Sequence, residues 1–265
     1  MKVYISVDIE GVTGTTDWNE TELGHHEHTR AVQQMQAEAV AACKGAVKAG
    51  ATEIWIKDSH DSGRNLWFTD LPKEAKLVRG WLSSPYSMVA GVDESFDACA
   101  FIGYHSPGGV DGNPLAHTMS NTQITYFKLN GKIMSELDMH ALACARYGVP
   151  AVFVSGDQML CELAEKNIPG IATVPTKIGI GEGTVNNNPE EVCKAIEEGM
   201  YKALTEKKAK ALAQPEELVL DICYKNHFEA KRASYYKGAE QIDAHTVRYK
   251  ADDIHDMLCA IMFMR

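Results

Sequence analysis

Apolar positions along this chain follow two periods that take turns. Short β-branched runs alternate with longer stretches in which apolar residues recur every three or four positions, the respective marks of buried strands and amphipathic helices. Lys2 to Val7 is the first such run, and it delivers Asp8-Ile9-Glu10-Gly11. From Glu27 to Lys48, Val32, Met35, Ala39, Cys43 and Val47 fall on one stripe, with Gln33, Gln36, Glu38 and Lys44 elsewhere on the wheel. Gly50 ends this predicted helix. Strands are predicted at Thr52 to Lys57, Lys76 to Arg79 and Ala98 to Tyr104. Asn130-Gly131, a pair favoured by type I′ turns, predicts a hairpin over about 122–135. A helix from Leu137 to Tyr147, a strand from Pro150 to Ser155 and a helix from Gln158 to Lys166 continue the alternation.

A strand pattern over 171–180 ends in Gly179-Ile180-Gly181-Glu182-Gly183. The full dinucleotide spacing GxGxxG is missing and the next helix starts only near Pro189, so this reads as a flexible loop. Pro189 to Leu212 reads as a long helix and residues 213–216 as a connector. A strand at Leu218 to Tyr224, a short helix at His227 to Ala233, a strand at Thr246 to Lys250 and a final helix from Asp252 follow. The predicted fold class is α/β: a three-layer, doubly wound, mostly parallel sheet over residues 1–212, with a smaller α+β lobe over 216–265 that the hairpin could join.

Composition narrows the partners. The 265 residues carry a net charge of −10, which disfavours nucleic acid, and 45% hydrophobic with 23% charged residues is ordinary for a globular protein. No run is long and apolar enough for a membrane span. The seven cysteines are scattered singly, without zinc-finger or redox spacing, and read as small core residues. With a start that runs directly into a strand, this leads us to expect a cytoplasmic protein.

Ligands of open α/β sheets bind beyond the carboxyl ends of the strands. That is where Asp8 and Glu10, then Asp58 and His60, then His105 fall on three strands. Asp8 and Glu10 project to one side because side chains alternate along a strand. Carboxylates and imidazoles together suit zinc, and also manganese, cobalt or iron. With Glu136, the donors number five, too many for one tetrahedral ion and suited to two ions sharing a carboxylate. Asp58, two residues from His60, could orient that imidazole, and Asp157 at a strand end could meet a substrate ammonium or simply form a turn. Several residues have plainer readings: Glu136 as an acid at a helix start, His140, an alternative ligand one turn on along the same face, as an ordinary packed or exposed histidine, and His117 as a surface histidine in a Gly- and Pro-rich loop. His25-His26-Glu27-His28 reads as a solvated helix start, since adjacent helical residues point apart.

Five blocks, Ser6-Val7-Asp8-Ile9-Glu10-Gly11, Asp58-Ser59-His60, Gly103-Tyr104-His105, His117-Thr118-Met119 and Ser135-Glu136-Leu137, resemble in order and spacing the D-aminopeptidases of the dipeptide-transport-protein-A type. This is a family of dinuclear zinc peptidases. The resemblance implies two zinc ions per subunit held by Asp8, Glu10, His60, His105 and Glu136, with Asp8 bridging and His117 catalytic. It also implies a homodecamer, and short peptides with an N-terminal D-residue as substrates. The competing functions at this point are a dinuclear phosphoesterase, although no Gly-Asn-His block follows Asp58-Ser59-His60, and a non-catalytic metal- or peptide-binding protein.

Overall fold

Val3, Tyr4, Ile5, Ser6 and Val7 are all buried, as expected of a strand paired on both edges and covered on both faces. In the computed structural model, which describes residues 1–265, strand β1 (Lys2–Val7) pairs in parallel with β2 (Glu53–Asp58) on one edge and β4 (Ala98–Tyr104) on the other. Adding β3 (Ala75–Val78), β7 (Ala151–Asp157), β8 (Ala172–Ile180) and β9 (Gly183–Asn186) completes a seven-stranded sheet of order β3-β2-β1-β4-β7-β8-β9, in which only β9 runs antiparallel.

Alternation along β1 divides the core in two. Val3, Ile5 and Val7 pack with Met35, Ala39 and Cys43 of α1 (His28–Lys48) and with Ile196 and Met200 of α4 (Pro189–Glu206). Tyr4 belongs to the opposite layer. There α2 (Glu136–Ala145) and α3 (Gln158–Asn167) share a core with α6 (Ile254–Met264) and with a second, antiparallel sheet. That sheet joins the hairpin β5 (Ile124–Leu129) and β6 (Lys132–Ile133) to β10 (Leu218–Tyr224), β12 (Thr246–Ala251) and the short β11 (Ala239–Gln241). Helix α5 (His227–Ala233) lies between β10 and β11 in the chain. No helix is long and apolar enough to cross a membrane, and all seven cysteines are free thiols.

Three expectations change. Residues 179–183 are not a loop: β8 and β9 form a hairpin turning at Gly181 and Glu182, with Gly181 at φ +59°, as a turn with glycine in its first central position requires. Helix α4 ends at Glu206 rather than Leu212, because Lys207 caps it in the left-handed region. Glu38, placed by periodicity on the polar side of α1, is fully buried.

Glu38 Oε1 accepts hydrogen bonds from Thr13 N and Gln34 Nε2, both at 3.1 Å, while Oε2 is unpartnered. Burial outweighs these bonds and pushes its pKa up to about 7. A carboxyl raised in the folded state favours folding while protonated, so its contribution is complete below the ordinary value of 4.5 and is lost as pH rises through 7. Glu38→Gln keeps an acceptor for both hydrogen bonds and removes the buried charge. Its stability is expected to match the parent's at pH 4 and exceed it at pH 8 by on the order of 3 kcal/mol. Unfolding curves at the two pH values check this, and an equal effect at both would contradict it.

Candidate metal centre

The sheet order β2-β1-β4 sets three carboxyl-terminal strand ends side by side. Backbone bonds carry the alignment past the strands: Asp8 N donates to Ile102 O (2.8 Å), Gly11 N to Gly103 O (2.8 Å) and Ser59 N to Val7 O (2.9 Å). The approach is close enough to demand glycine on both sides. A Cβ at Gly11 would lie 1.6 Å from the Tyr104 carbonyl oxygen, and one at Gly103, where φ is +68°, 2.3 Å from that of Asp8.

Five of the sequence-predicted residues converge here. Asp8 directs Oδ1 to within 3.3 Å of His60 Nδ1 and Oδ2 to within 3.5 Å of His105 Nε2, so its two oxygens face different neighbours. Glu10 Oε2 lies 3.0 Å from His60 Nδ1, and Glu136 Oε1 lies 3.7 Å from His105 Nε2. Asp8, Glu10 and His60 form one compact set and Asp8, His105 and Glu136 another, with the donor atoms of each set within 4.8 Å of one another. A third grouping, Glu10, His105 and His117, overlaps both.

Hydrogen bonds fix which imidazole nitrogen faces the centre, because a carbonyl can only accept. His60 Nε2 donates to Thr21 O (2.8 Å), which leaves Nδ1 for the carboxylates. His105 Nδ1 donates to Ser106 O (2.9 Å), which leaves Nε2. Burial works against charging His60, but Glu10 and Asp8 outweigh it and hold its pKa well up. His105 is likewise raised, to about 9, by Glu136, Glu10 and Asp8 against its burial. Asp8 goes the other way from an ordinary carboxylate, raised by burial and by Glu10. So crowded a set of buried acids calls for cations. His105 Nε2 and Glu10 Oε2 are buried with no hydrogen-bond partner, and such orphaned donor atoms are what a coordinating cation would satisfy. The residues present therefore fit zinc.

The plain reading of Glu136 as a helix-start acid gives way to local geometry. Ser135 caps α2 with Asp138, not Glu136: Asp138 N donates to Ser135 Oγ (3.0 Å) and Ser135 N to Asp138 Oδ2 (3.0 Å). Glu136 is thereby free to turn inward, where Met119 N donates to its Oε1 (2.6 Å). Met119 adopts φ +63°, a rare conformation for a non-glycine residue and one tied here to holding Glu136.

His117 arrives on the 105–117 loop. Its ring stacks on His105 at 4.2 Å and 9° and meets Trp18 edge-on at 5.4 Å. Nδ1 donates to Leu115 O (2.9 Å), so Nε2, which lies 3.5 Å from Glu136 Oε1, keeps its lone pair. Burial and His105 lower its pKa.

Asp58 and Asp157 take the plainer of their two readings, holding local backbone. Asp58 accepts from Asn65 N, Asn65 Nδ2 and Leu66 N and does not touch the His60 ring, because the chain turns away between them; the Thr21 carbonyl orients that ring instead. Asp157 is fully buried as the N-cap of α3, accepting from Leu160 N, from the Ser106 amide and hydroxyl and from Asn113 Nδ2, and it does not line the cavity beside the centre. His140 donates from Nδ1 to Glu136 O (2.6 Å) and belongs to neither donor set. His25 and His26 pair loosely with Glu27, and His28 with Asn65. Sequence reasoning missed Lys177, whose buried Nζ donates to the carbonyls of Glu10 and Thr15, and Thr176, whose hydroxyl donates to Gly11 O (2.5 Å). Together they anchor the loop behind the carboxylates. A lysine inside a strand gives no sign of such a contact. Beside the centre lies a cavity of about 390 Å³.

Two overlapping carboxylate–imidazole sets on a parallel sheet edge, with a histidine lone pair beside them, define a metal-dependent hydrolase. The chain belongs to the D-aminopeptidase family, whose model matches residues 1–263. It is 32% identical over 267 residues to a D-aminopeptidase of Bacillus subtilis, covering 100% of this chain and 96% of that protein. Among solved structures it matches the Zn-dependent D-aminopeptidase DppA from Bacillus subtilis, described as a self-compartmentalizing protease. The TM-score is 0.93 at 31% identity, covering 100% of this chain and 96% of the other.

Proposed function

We propose that this protein is a zinc-dependent aminopeptidase that hydrolyses the N-terminal peptide bond of short peptides, with preference for an N-terminal D-residue. The observation that carries the reading is the division of Asp8, one oxygen toward His60 and the other toward His105, with the His117 lone pair beside the second set. Family membership supports the activity and the stereochemistry. Asp8, Glu10 and His60 would hold one zinc and Asp8, His105 and Glu136 a second, through donors that manganese, cobalt or iron would also accept. Bound there, the ions supply Lewis acidity, polarising the scissile carbonyl and acidifying a water.

His117 does the proton work. Its Nδ1–H is committed to Leu115, so Nε2 accepts a proton from the attacking water and returns it to the departing amine. The stack on His105 and the edge of Trp18 hold the ring to that task. The chain would act as a homo-oligomer, a homodecamer by family likeness, in the cytoplasm. The self-compartmentalizing description of the Bacillus subtilis structure and the exposed apolar side chains of Trp67, Phe68, Phe228 and Tyr235 support assembly, and the free cysteines support a reducing compartment.

The test is a panel of D- and L-amino peptides presented to the zinc-loaded protein. Release of D-alanine from D-Ala-D-Ala, faster than of L-alanine from L-Ala-L-Ala, is expected. Failure on every peptide would sink the reading, and hydrolysis of phosphate esters alone would replace it with a phosphoesterase.

A further inference from the structure

The cavity beside the centre is floored by Asp8, Glu10, His60 and Glu136 of the two donor sets. Beyond them Glu22 and Asp61 line it, and Arg265 is its one arginine or lysine. The guanidinium makes no ion pair or hydrogen bond with any carboxylate of the protein; the one bond from its side of the chain that fixes it is Arg265 N to Ile261 O (3.1 Å), which continues α6. Helix α6 is itself anchored by buried Met257, Leu258 and Ile261. Arg265 is exposed and lines the cavity, so the five N–H donors of its planar fork are open to a ligand and have no internal partner.

Arg265 also lines a second, smaller cavity, of about 150 Å³ and mostly apolar, formed with Leu82, Met139, Leu258 and Met262. Trp81 and Met119 belong to both cavities, so the two adjoin at the arginine. A short peptide cleaved at its first bond brings an ammonium, a scissile carbonyl and a terminal carboxylate. Glu22 and Asp61, which belong to neither donor set, suit the first, the donor sets serve the second, and Arg265 is the one arginine or lysine in the cavity to meet the third.

We propose that Arg265 reads the free C-terminal carboxylate of the substrate, with the side chain next to that carboxylate entering the apolar cavity. This deepens the aminopeptidase reading and rests on it. The fork pairs a carboxylate through parallel N–H···O bonds, and an amidated end offers no charge at that point.

The experiment compares D-Ala-D-Ala with its C-terminal amide on zinc-loaded wild type, Arg265→Met and Arg265→Lys. Wild type is expected to prefer the free acid. Arg265→Met is expected to raise KM for the acid by about 10- to 100-fold with kcat little changed, as loss of a charge-assisted contact shared by ground and transition states requires. KM for the amide stays put, and Arg265→Lys recovers part of the loss by restoring charge without the fork. A loss in Arg265→Met that is equal for acid and amide, or no loss at all, would overturn the carboxylate role while leaving the peptidase standing. Wild type that cleaves neither peptide would overturn the peptidase reading and this inference with it.

Discussion

Replacing His117 by alanine is expected to lower kcat on D-Ala-D-Ala by about 10²- to 10⁴-fold, the range for loss of a positioned acid–base group, while zinc content stays at the parent level. The separation follows from geometry. His117 lies outside the two sets that share Asp8, and each of those keeps three donors without it. Without the His117 ring stacked on it, His105 keeps its orienting bond to Ser106. Substrate binding, carried by the rest of the cavity, should leave KM close to the parent value. Metal analysis beside steady-state kinetics checks both halves. Full activity in His117→Ala would remove the residue from the chemistry, and loss of zinc would recast it as a ligand.

Asp8→Ala is expected to be the more damaging change. It is the one carboxylate common to both sets, so its removal leaves each with two donors: Glu10 and His60 on one side, His105 and Glu136 on the other. Zinc content should fall for both positions together and peptidase activity should disappear. Glu136→Gln, which touches one set only, should spare about half of the metal. The fold should survive, because Asp8 holds the β1–β4 junction through its backbone amide, which donates to Ile102 O and which alanine retains. Circular dichroism of Asp8→Ala beside its metal content separates a lost site from a lost fold. If Asp8→Ala and Glu136→Gln lost the same amount of zinc, the sharing of Asp8 would be wrong.

How much of this could be read from the residues varies with the range of the interactions. Asp8 and Glu10 were legible because a period of two is local, and His60 and His105 because parallel strands end at a common edge whatever their order. Glu136 was ambiguous in sequence, since Ser135-Glu136 looks like any acidic helix start; the deciding fact is that Asp138 takes the capping position. Asp58 misled for a related reason. Its spacing from His60 implies a shared side only while the strand continues, and β2 ends at Asp58. Trp18, Thr21, Lys177 and Arg265 act across long sequence separations, and no local pattern marks them. The β8–β9 hairpin did leave a trace, a glycine at the first position of a two-residue turn, hidden by its likeness to a dinucleotide loop.

The central claim is that one aspartate organises two metal positions. The direct measurement is zinc per chain, by mass spectrometry of the metal in zinc-loaded, desalted protein of known concentration. A ratio of two is expected, and a ratio of one or less would contradict the shared-carboxylate centre.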